Sequence, residues 1–380
     1  MARNTLSLAV VLAGVLAAGC GRTDAQSGGA PVPFKLGTFE RNGQAFVGLV
    51  LRDTQVVDIA QANAAFESSN GSAPKLAAPA DMTQLIAGYD GGWRERLGAI
   101  ARQVSAASSA PAYAYQASSL RTLPPVRPAL QLMAAGNYTE HLQGIAEQQR
   151  RAGGGGQAEA PAPPGVESIP GVWERKPDDR RPNNPYLYQK APTVLIGHGE
   201  SVVVPRGRTM IDYECEIAIV VGRPAKYVPV ERAGDYIFGY TGLNDVSDRG
   251  SRGDRHMGGS ADWLLGKNHD TFGPLGPYIV PKEFFKDPTN TRHVLTLNGT
   301  VMQDSNTNRM THNVYELVSF SSGILTLNPG DVIAGGSPAG TNIERADPRW
   351  MRPGDRTTCM VEGVGELTNP VAAEPAASTN

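Results

Sequence analysis

The sequence lacks several features that would place it in common functional classes. Its formal net charge is −2 over 380 residues and its basic residues are scattered, so no basic face of the kind that binds nucleic acid is expected. Its three cysteines show no zinc-finger spacing. The Gly-rich loop at 335–341 has neither the GxxxxGK[ST] nor the GxGxxG pattern of a nucleotide site. These absences leave a small-molecule enzyme or a binding protein.

Glycine and proline are abundant, at 44 and 29 residues. This composition is typical of a loop-rich, β-rich protein or of a disordered insert. The segment 151–184 begins with a low-complexity Gly/Pro/Ala run, which cannot bury a core. We expect a mobile insert there, either a solvated surface insertion or a lid over a neighbouring site.

The N-terminus reads as a targeting segment. Residues 1–20 have a basic Arg3, a short apolar stretch and small residues before Cys20. The ending LAAGC resembles a lipobox, although an ordinary signal peptide is the alternative. We therefore expect an exported protein of the bacterial periplasm, joined to the membrane only by a lipid on Cys20, with residues 21–32 as a flexible tether.

Two domains are predicted between the tether and a short tail at 372–380. Residues 33–60 alternate apolar and polar side chains around turn signals, which predicts a β-meander, and 81–105 show helical periodicity. Together they suggest a small domain over 33–125. The main domain, 126–371, is dense in short strand-like runs, so we expect an α+β fold that is mostly β.

Two glutamates open an apolar run in the stretch MIDYECEIAIVVG. On a strand Glu214 and Glu216 share one face while Cys215 takes the other. Asp245 lies in a loop after another predicted strand. Three carboxylates without His or Cys favour Mg²⁺ or Mn²⁺, with Ca²⁺ as a further option. The alternative is a solvated Glu-x-Glu pair beside an ordinary turn aspartate.

Other side chains could act on a bound anion. Lys267 lies among apolar and aromatic neighbours and could stabilise an oxyanion, or could simply pair with Asp262 or Asp270. His141 is the best candidate for a general base. The Ser337 hydroxyl, with the amides of its Gly-rich loop, could hold a carboxylate.

If Cys20 anchors a lipid, Cys215 and Cys359 remain. They could pair in an oxidising compartment. Two cysteines so far apart in sequence are more often separate buried side chains, and that is our expectation here.

Seven stretches, taken together and in order, resemble the fumarylacetoacetate hydrolase family over roughly 130–150 and 190–371. They are AAGNYTEH, DYECEIAIVVG, GYTGLNDVSDR, GKNHDTFGPLGPYIV, LTLNGTVMQDSNTNRM, TLNPGDVIAGGSPAGT and VEGVGELTNPV. The resemblance implies a mixed β-roll or sandwich core, a small N-terminal domain and a homodimer. It also implies a Mg²⁺ or Mn²⁺ ion held by Glu214, Glu216 and Asp245.

The same resemblance implies roles for the remaining candidates. It makes His141 and Lys267 catalytic, and it makes Arg249, Ser337 and Tyr138 substrate-binding. Members of the family hydrolyse a C–C bond of acylpyruvates or fumarylacetoacetate-like 1,3-dicarbonyl acids, decarboxylate oxaloacetate-like acids, or isomerise hydroxydienedioates. We expect the hydrolase, with the decarboxylase or isomerase as alternatives.

One departure bears on the hydrolase prediction. Many members pair the catalytic histidine with a glutamate three residues later, where this chain has Gly144. Glu147 is offset around the helix by about 120° and is a poor substitute. A metal- and ligand-binding protein without catalysis is therefore a further alternative.

Overall fold

A computed structural model describes residues 30–151, 184–250 and 262–376, which contain nineteen strands and six α-helices. Residues 1–31 cluster as a separate unit, and the fold below is that of the unit beginning at Val32. The helices are α1 (Ile59–Ser69), α2 (Met82–Ala87), α3 (Trp93–Ala106), α4 (Thr139–Arg151), α5 (Trp263–Lys267) and α6 (Val314–Ile324). The strands are β1 (Lys35–Arg41), β2 (Gln44–Leu51), β3 (Gln55–Asp58), β4 (Ala114–Gln116), β5 (Arg121–Leu123), β6 (Gln131–Ala135), β7 (Tyr186–Gln189), β8 (Leu195–Ile196), β9 (Val202–Val204), β10 (Ile211–Asp212), β11 (Cys215–Val221), β12 (Ile237–Asn244), β13 (Ser247–Asp248), β14 (Gly273–Pro281), β15 (Arg292–Leu297), β16 (Thr300–Asn306), β17 (Val332–Ala334), β18 (Arg356–Val361) and β19 (Gly365–Ala373).

The predicted β-meander is present as β1, β2 and β3. Asn42 and Gly43 both have positive φ angles, 53° and 76°, as a two-residue hairpin turn between twisted strands requires. The helix α1 follows directly, with the Asp58 carboxylate accepting a hydrogen bond from the Gln61 N–H at 3.0 Å. The helix α1 is not predicted from the sequence, because its alanine-rich segment has little apolar periodicity.

The larger sheet has twelve strands, of which β1 is the first along the chain and β17 the last. Its main path is β4-β3-β2-β1-β14-β12-β11-β17-β6-β7, with β5 on β1 and β8 on β14. The meander therefore joins the central strands through β1 and β14, where Leu36 lies opposite Ile279. The domain boundary predicted at residue 125 stays a prediction.

Two hydrophobic clusters lie on opposite faces of β11. Ile217 and Ile219 belong to the cluster shared with the five-stranded sheet β16-β15-β18-β19-β9. Ala218 and Val220 belong to the cluster that includes residues of α1, α2 and α3. The strand is thus buried on both faces, which explains its continuous apolar run. The predicted α+β fold, mostly β with a mixed sandwich-like core, is confirmed.

Cys215 and Cys359 form a disulfide, contrary to the expectation of two separate thiols. Cys215 begins β11 in the large sheet and Cys359 lies in β18 of the five-stranded sheet, with their Cα atoms 5.2 Å apart. The sequence could not show this because the pairing depends on how the two sheets stack.

Most of the predicted insert, all of the predicted signal segment and most of the tether lie outside the described residues. Of the helices that are described, none has the length and apolarity needed to cross a membrane.

Candidate active site

The three predicted carboxylates come together at one end of β11 and β12. These strands are antiparallel, with Cys215 opposite Asn244, so the residue before β11 and the residue after β12 are neighbours. Glu214, Glu216 and Asp245 are all buried, and their carboxylate oxygens lie within 4.8 Å of one another. The backbone N–H of Asp245 donates to the carbonyl of Glu214 at 2.8 Å, which fixes the two loops together.

Three buried cations neutralise most of this charge. The Lys267 ammonium, at the end of α5, donates to Glu214 at 2.6 Å and also to Asp245. The Arg249 guanidinium donates to Glu214 and, at 3.0 Å, to Asp212. Lys190, directly after β7, donates to Asp245 and to two backbone carbonyls. Lys267 therefore pairs with the acidic cluster, while Asp262 instead caps the start of α5.

The charges do not balance among the described residues of the site. Four buried carboxylates, Asp212, Glu214, Glu216 and Asp245, face three buried cations, Lys190, Arg249 and Lys267, which leaves one negative charge in excess.

The excess negative charge acts on the carboxyl group of Glu216. Burial, together with the negative charges of Asp245 and Glu214, raises the pKa of the Glu216 carboxyl well above its ordinary value. Burial alone would also raise the pKa of Glu214, but Arg249 and Lys267 hold it well below its ordinary value.

The residues present fit a divalent cation. The Glu216 carboxylate accepts a hydrogen bond from the Gly336 N–H at 2.7 Å. This bond does not remove the one excess negative charge of the cluster, which a bound cation would neutralise. An oxygen-only donor set of this kind suits Mg²⁺ or Mn²⁺. Glu214, Glu216 and Asp245 thus form a candidate site for a divalent cation.

His141 is paired with a carboxylate, although not with one on its own helix. Its Nδ1 donates to the Glu344 carboxylate at 2.5 Å, and both side chains are largely buried. Glu344 belongs to a short 3₁₀ turn, Asn342–Glu344, where its carboxylate also accepts from the Thr341 hydroxyl at 2.6 Å. A Cβ at Gly144 would lie 2.8 Å from Glu344 Oε2. The glycine thus leaves the space that this distant glutamate fills, and Glu147 instead pairs with Arg150 and Arg151 at the surface.

The other two predicted substrate-binding residues, Ser337 and Tyr138, differ in whether they reach the cavity. Ser337 is buried, accepts a hydrogen bond from the Gln303 side-chain amide at 3.0 Å and lines the cavity described below. Tyr138 is fully buried, and its hydroxyl lies 3.1 Å from Nε2 of His293. The structure therefore does not bring Tyr138 to the cavity, because its side chain points into the core between the sheets.

Three residues of the site are not predicted from the sequence. Lys190 and Tyr188 lie in the stretch YLYQK, where nothing local distinguishes them from surface residues of an edge strand, yet Lys190 is fully buried and the Tyr188 hydroxyl donates to Asp245. Glu344 ends the pattern Thr-x-x-Glu, which predicts a helix cap but not a histidine partner 203 residues away.

A cavity of about 780 Å³ opens onto the cluster. Its polar lining includes His141, Glu214, Arg249, Lys267 and Ser337. Apolar side chains from α4, β7 and α5 form part of the remaining wall, including a Tyr188 ring stacked on Trp263 with centroids 4.4 Å apart. Further polar side chains in the lining are those of Asn137, Thr139, Asn184, Thr311 and His312. The volume and the mixture of apolar wall with convergent polar groups are those of a small-molecule site.

Comparison with known proteins identifies the family to which this chain belongs. Residues 134–372 match the model of the fumarylacetoacetate hydrolase C-terminal domain. A bovine relative named oxaloacetate tautomerase FAHD2A, mitochondrial, is 37% identical over 191 residues, which are 50% of this chain and 60% of the relative. The chain thus spans about 60% of the length of that curated relative.

Two solved structures show the fold over most of the chain. A 5-carboxymethyl-2-hydroxymuconate delta-isomerase from Mycobacterium smegmatis is 25% identical, with a TM-score of 0.59, and covers 90% of this chain and 100% of its own. A maleylpyruvate hydrolase from Sphingobium, solved with manganese(II) and pyruvate, is 23% identical with a TM-score of 0.61 and the same coverage.

The predicted periplasmic localisation is wrong. The bovine relative carries a mitochondrial name, and the comparisons give no support to a lipoprotein signal. The prediction depended on a short apolar run and small side chains before Cys20. These are local features, and they do not specify a compartment by themselves.

Proposed function

Because the chain belongs to the fumarylacetoacetate hydrolase family, we propose that it is a divalent-metal-dependent enzyme that hydrolyses a C–C bond of acylpyruvate-like 1,3-dicarbonyl acids. The observation that supports this most directly is His141, which lines the same cavity as Glu214 of the carboxylate cluster and is paired with the Glu344 carboxylate. It answers the doubt raised by Gly144, since the histidine has a carboxylate partner from another element.

The reaction balances with water as the only co-reactant. In R–CO–CH₂–CO–COO⁻ the bond between C3 and C4 breaks and a bond forms between C4 and the water oxygen. The electron pair of the broken bond stays on C3 and takes a proton, which gives the methyl group of pyruvate. The products are R–COO⁻, pyruvate and one proton.

His141 would move the proton in this scheme. Because Nδ1–H donates to Glu344, the lone pair lies on Nε2, which can take a proton from water and return one to C3. Glu344 would hold the ring in this tautomer and stabilise the imidazolium. A residue in this role typically contributes about 10²- to 10⁴-fold in rate.

The cations would bind and orient the acid. Arg249 and Lys267 line the cavity, and each also donates to Glu214, so they present positive charge to the oxygens of a bound 2-oxo acid. A divalent ion held by the three carboxylates would polarise carbonyl oxygens of such an acid. The Ser337 hydroxyl lies in the same wall, and it can donate to a substrate carboxylate by turning away from the Pro338 carbonyl, to which it donates at 3.2 Å.

The test is turnover of acetylpyruvate by the purified chain with Mn²⁺, with formation of acetate and pyruvate in equal amounts. The variants His141→Asn and Glu344→Gln should lower kcat by about a hundredfold or more while Mn²⁺ affinity stays unchanged. Glu147→Gln is the matched control, since this glutamate pairs only with surface arginines in the described structure. Absence of chelator-sensitive cleavage would contradict the hydrolase.

A second candidate is a keto–enol tautomerase acting on oxaloacetate, which is favoured by the name of the bovine relative. The same histidine could carry a proton between C3 and the enol oxygen without breaking a C–C bond. Exchange between enol and keto forms of oxaloacetate, without loss of the acid and without acetylpyruvate cleavage, would replace the hydrolase with this candidate.

We also propose a homodimer, as the family resemblance implies. Light scattering on the purified chain should give twice the chain mass, and the mass of a single chain would refute the dimer.

A further inference from the structure

We infer that the cavity takes a 2-oxo acid whose far end is apolar, rather than a dicarboxylic acid. This inference rests on the proposed function only for the orientation of the substrate, with its 2-oxo carboxylate at the carboxylate cluster. It concerns the other end of the molecule, the acyl group R.

The Lys, Arg, Glu and His side chains of the described lining, including His312, are buried ones. Among the lining residues that the structure describes, the lysine and arginine side chains are those of Lys267 and Arg249, and both are at least 95% buried and already donate to Glu214. His141 is engaged with Glu344. These groups serve the 2-oxo end, and the described lining offers no further Lys or Arg for a second carboxylate.

Large apolar side chains lie at the solvent side of the cavity, beside the uncharged Thr139. Leu142 on α4 is 50% exposed and Tyr186 on β7 is 59% exposed, and both line the cavity. The Trp263 ring bridges inward from this rim, 6.1 Å from the Tyr186 ring and stacked on Tyr188, whose hydroxyl donates to Asp245. One strip of the wall, through Tyr186, Trp263 and Tyr188, is thus aromatic from the rim to the carboxylate cluster.

This wall discriminates between substrate tails. A carboxylate placed against it would lose water without gaining a counter-charge, which is costly. An alkyl or aromatic tail would cover the exposed leucine and tyrosine, and each buried methylene raises affinity by about fourfold. The cavity, at about 780 Å³, is also larger than a four-carbon diacid needs.

A comparison of binding affinities tests the inference without requiring turnover. The probes are 2-oxooctanoate and 2-oxooctanedioate, which have equal chain length and differ only in a terminal methyl or carboxylate. Titration calorimetry with Mn²⁺ present should show the monoacid binding about tenfold or more tightly. Equal affinity, or tighter binding of the diacid, would overturn the inference.

A charge variant supplies the second arm. Leu142→Arg places a cation at the exposed rim, where it can be accommodated in a surface turn of α4, and should reduce or reverse the preference by about tenfold. Ile324→Arg is the matched control, since Ile324 is 54% exposed at the end of α6 and does not line the cavity. An equal effect of both variants would show that net charge alone changes affinity, and would overturn the inference.

Turnover separates this inference from the proposed function. Cleavage of acetylpyruvate with no preference in the binding assay would leave the hydrolase standing and reject the apolar subsite. A clear preference in binding with no cleavage of acetylpyruvate or of an acylpyruvate with a longer alkyl tail would reject the hydrolase and support the subsite.

Discussion

At the scale of single residues, the buried charge of Lys190 bears on the stability of the fold. Its ammonium is buried beside Asp245, and burial lowers its pKa although Asp245 opposes that change. Removing one partner of a buried pair leaves an uncompensated charge, so Lys190→Met should lower the free energy of unfolding by about 3–5 kcal/mol. Chemical denaturation of the metal-free protein measures it.

Lys35→Met is the matched control for this substitution. Lys35 pairs with Asp53, whose side chain is 58% exposed, so the loss should be about 1 kcal/mol or less. Equal losses for the two variants would mean that Lys190 contributes no more than a surface lysine.

His293 gives a pH prediction. Burial lowers its pKa from 6.5 to about 4, although the hydrogen bond from its ring to the Cys215 carbonyl at 2.9 Å acts in the opposite direction. Between these values the unfolded chain binds more protons than the folded chain, so stability falls as the pH is lowered. From pH 7 to pH 5 this residue should remove about 2 kcal/mol of unfolding free energy.

Comparison of the native chain with His293→Gln isolates this effect. The variant should be less stable at pH 7, because it loses a buried hydrogen-bond partner, but its stability should fall less between pH 7 and pH 5. If the two stability curves run parallel over that range, His293 does not titrate as described.

At the scale of elements, the turn that carries Glu344 must fit against α4. Gly144→Ala would put a Cβ within 3.0 Å of Glu344, which Thr341 and Gly340 also hold, so the carboxylate must shift. We expect kcat to fall by about tenfold or more through a misplaced His141. A change in the pH–rate profile should accompany it, because the base itself is perturbed.

Gly98→Ala in α3 provides the matched control. The nearest atom to a Cβ there is Arg102 Nη1 at 3.5 Å, an ordinary contact. Alanine should stabilise that helix by up to about 1 kcal/mol and leave kcat unchanged. Loss of activity in both variants would remove the specific role of Gly144.

The same elements show what sequence alone can predict. The alternation around Glu214 and Glu216 placed both on one face, and the hairpin at Asn42 followed from turn chemistry, because both depend on neighbouring residues. Glu344 could not be assigned to His141 because their contact depends on the packing of a turn against a helix 203 residues away. Lys190 was missed for the same reason: its burial depends on strands and loops that are distant in sequence.

At the scale of the whole molecule, the Cys215–Cys359 disulfide joins the two sheets across 144 residues of sequence. Cross-linking residues so far apart restricts the unfolded chain strongly, so the double variant Cys215→Ala/Cys359→Ala should lose about 2–5 kcal/mol of unfolding free energy. The native chain unfolded in the presence of reductant should show a similar loss, while the double variant should respond little to reductant. Alkylation under denaturing, non-reducing conditions checks the bond directly: Cys20→Ser should then contain no reactive thiol, and labelling at both remaining cysteines would show that they are free.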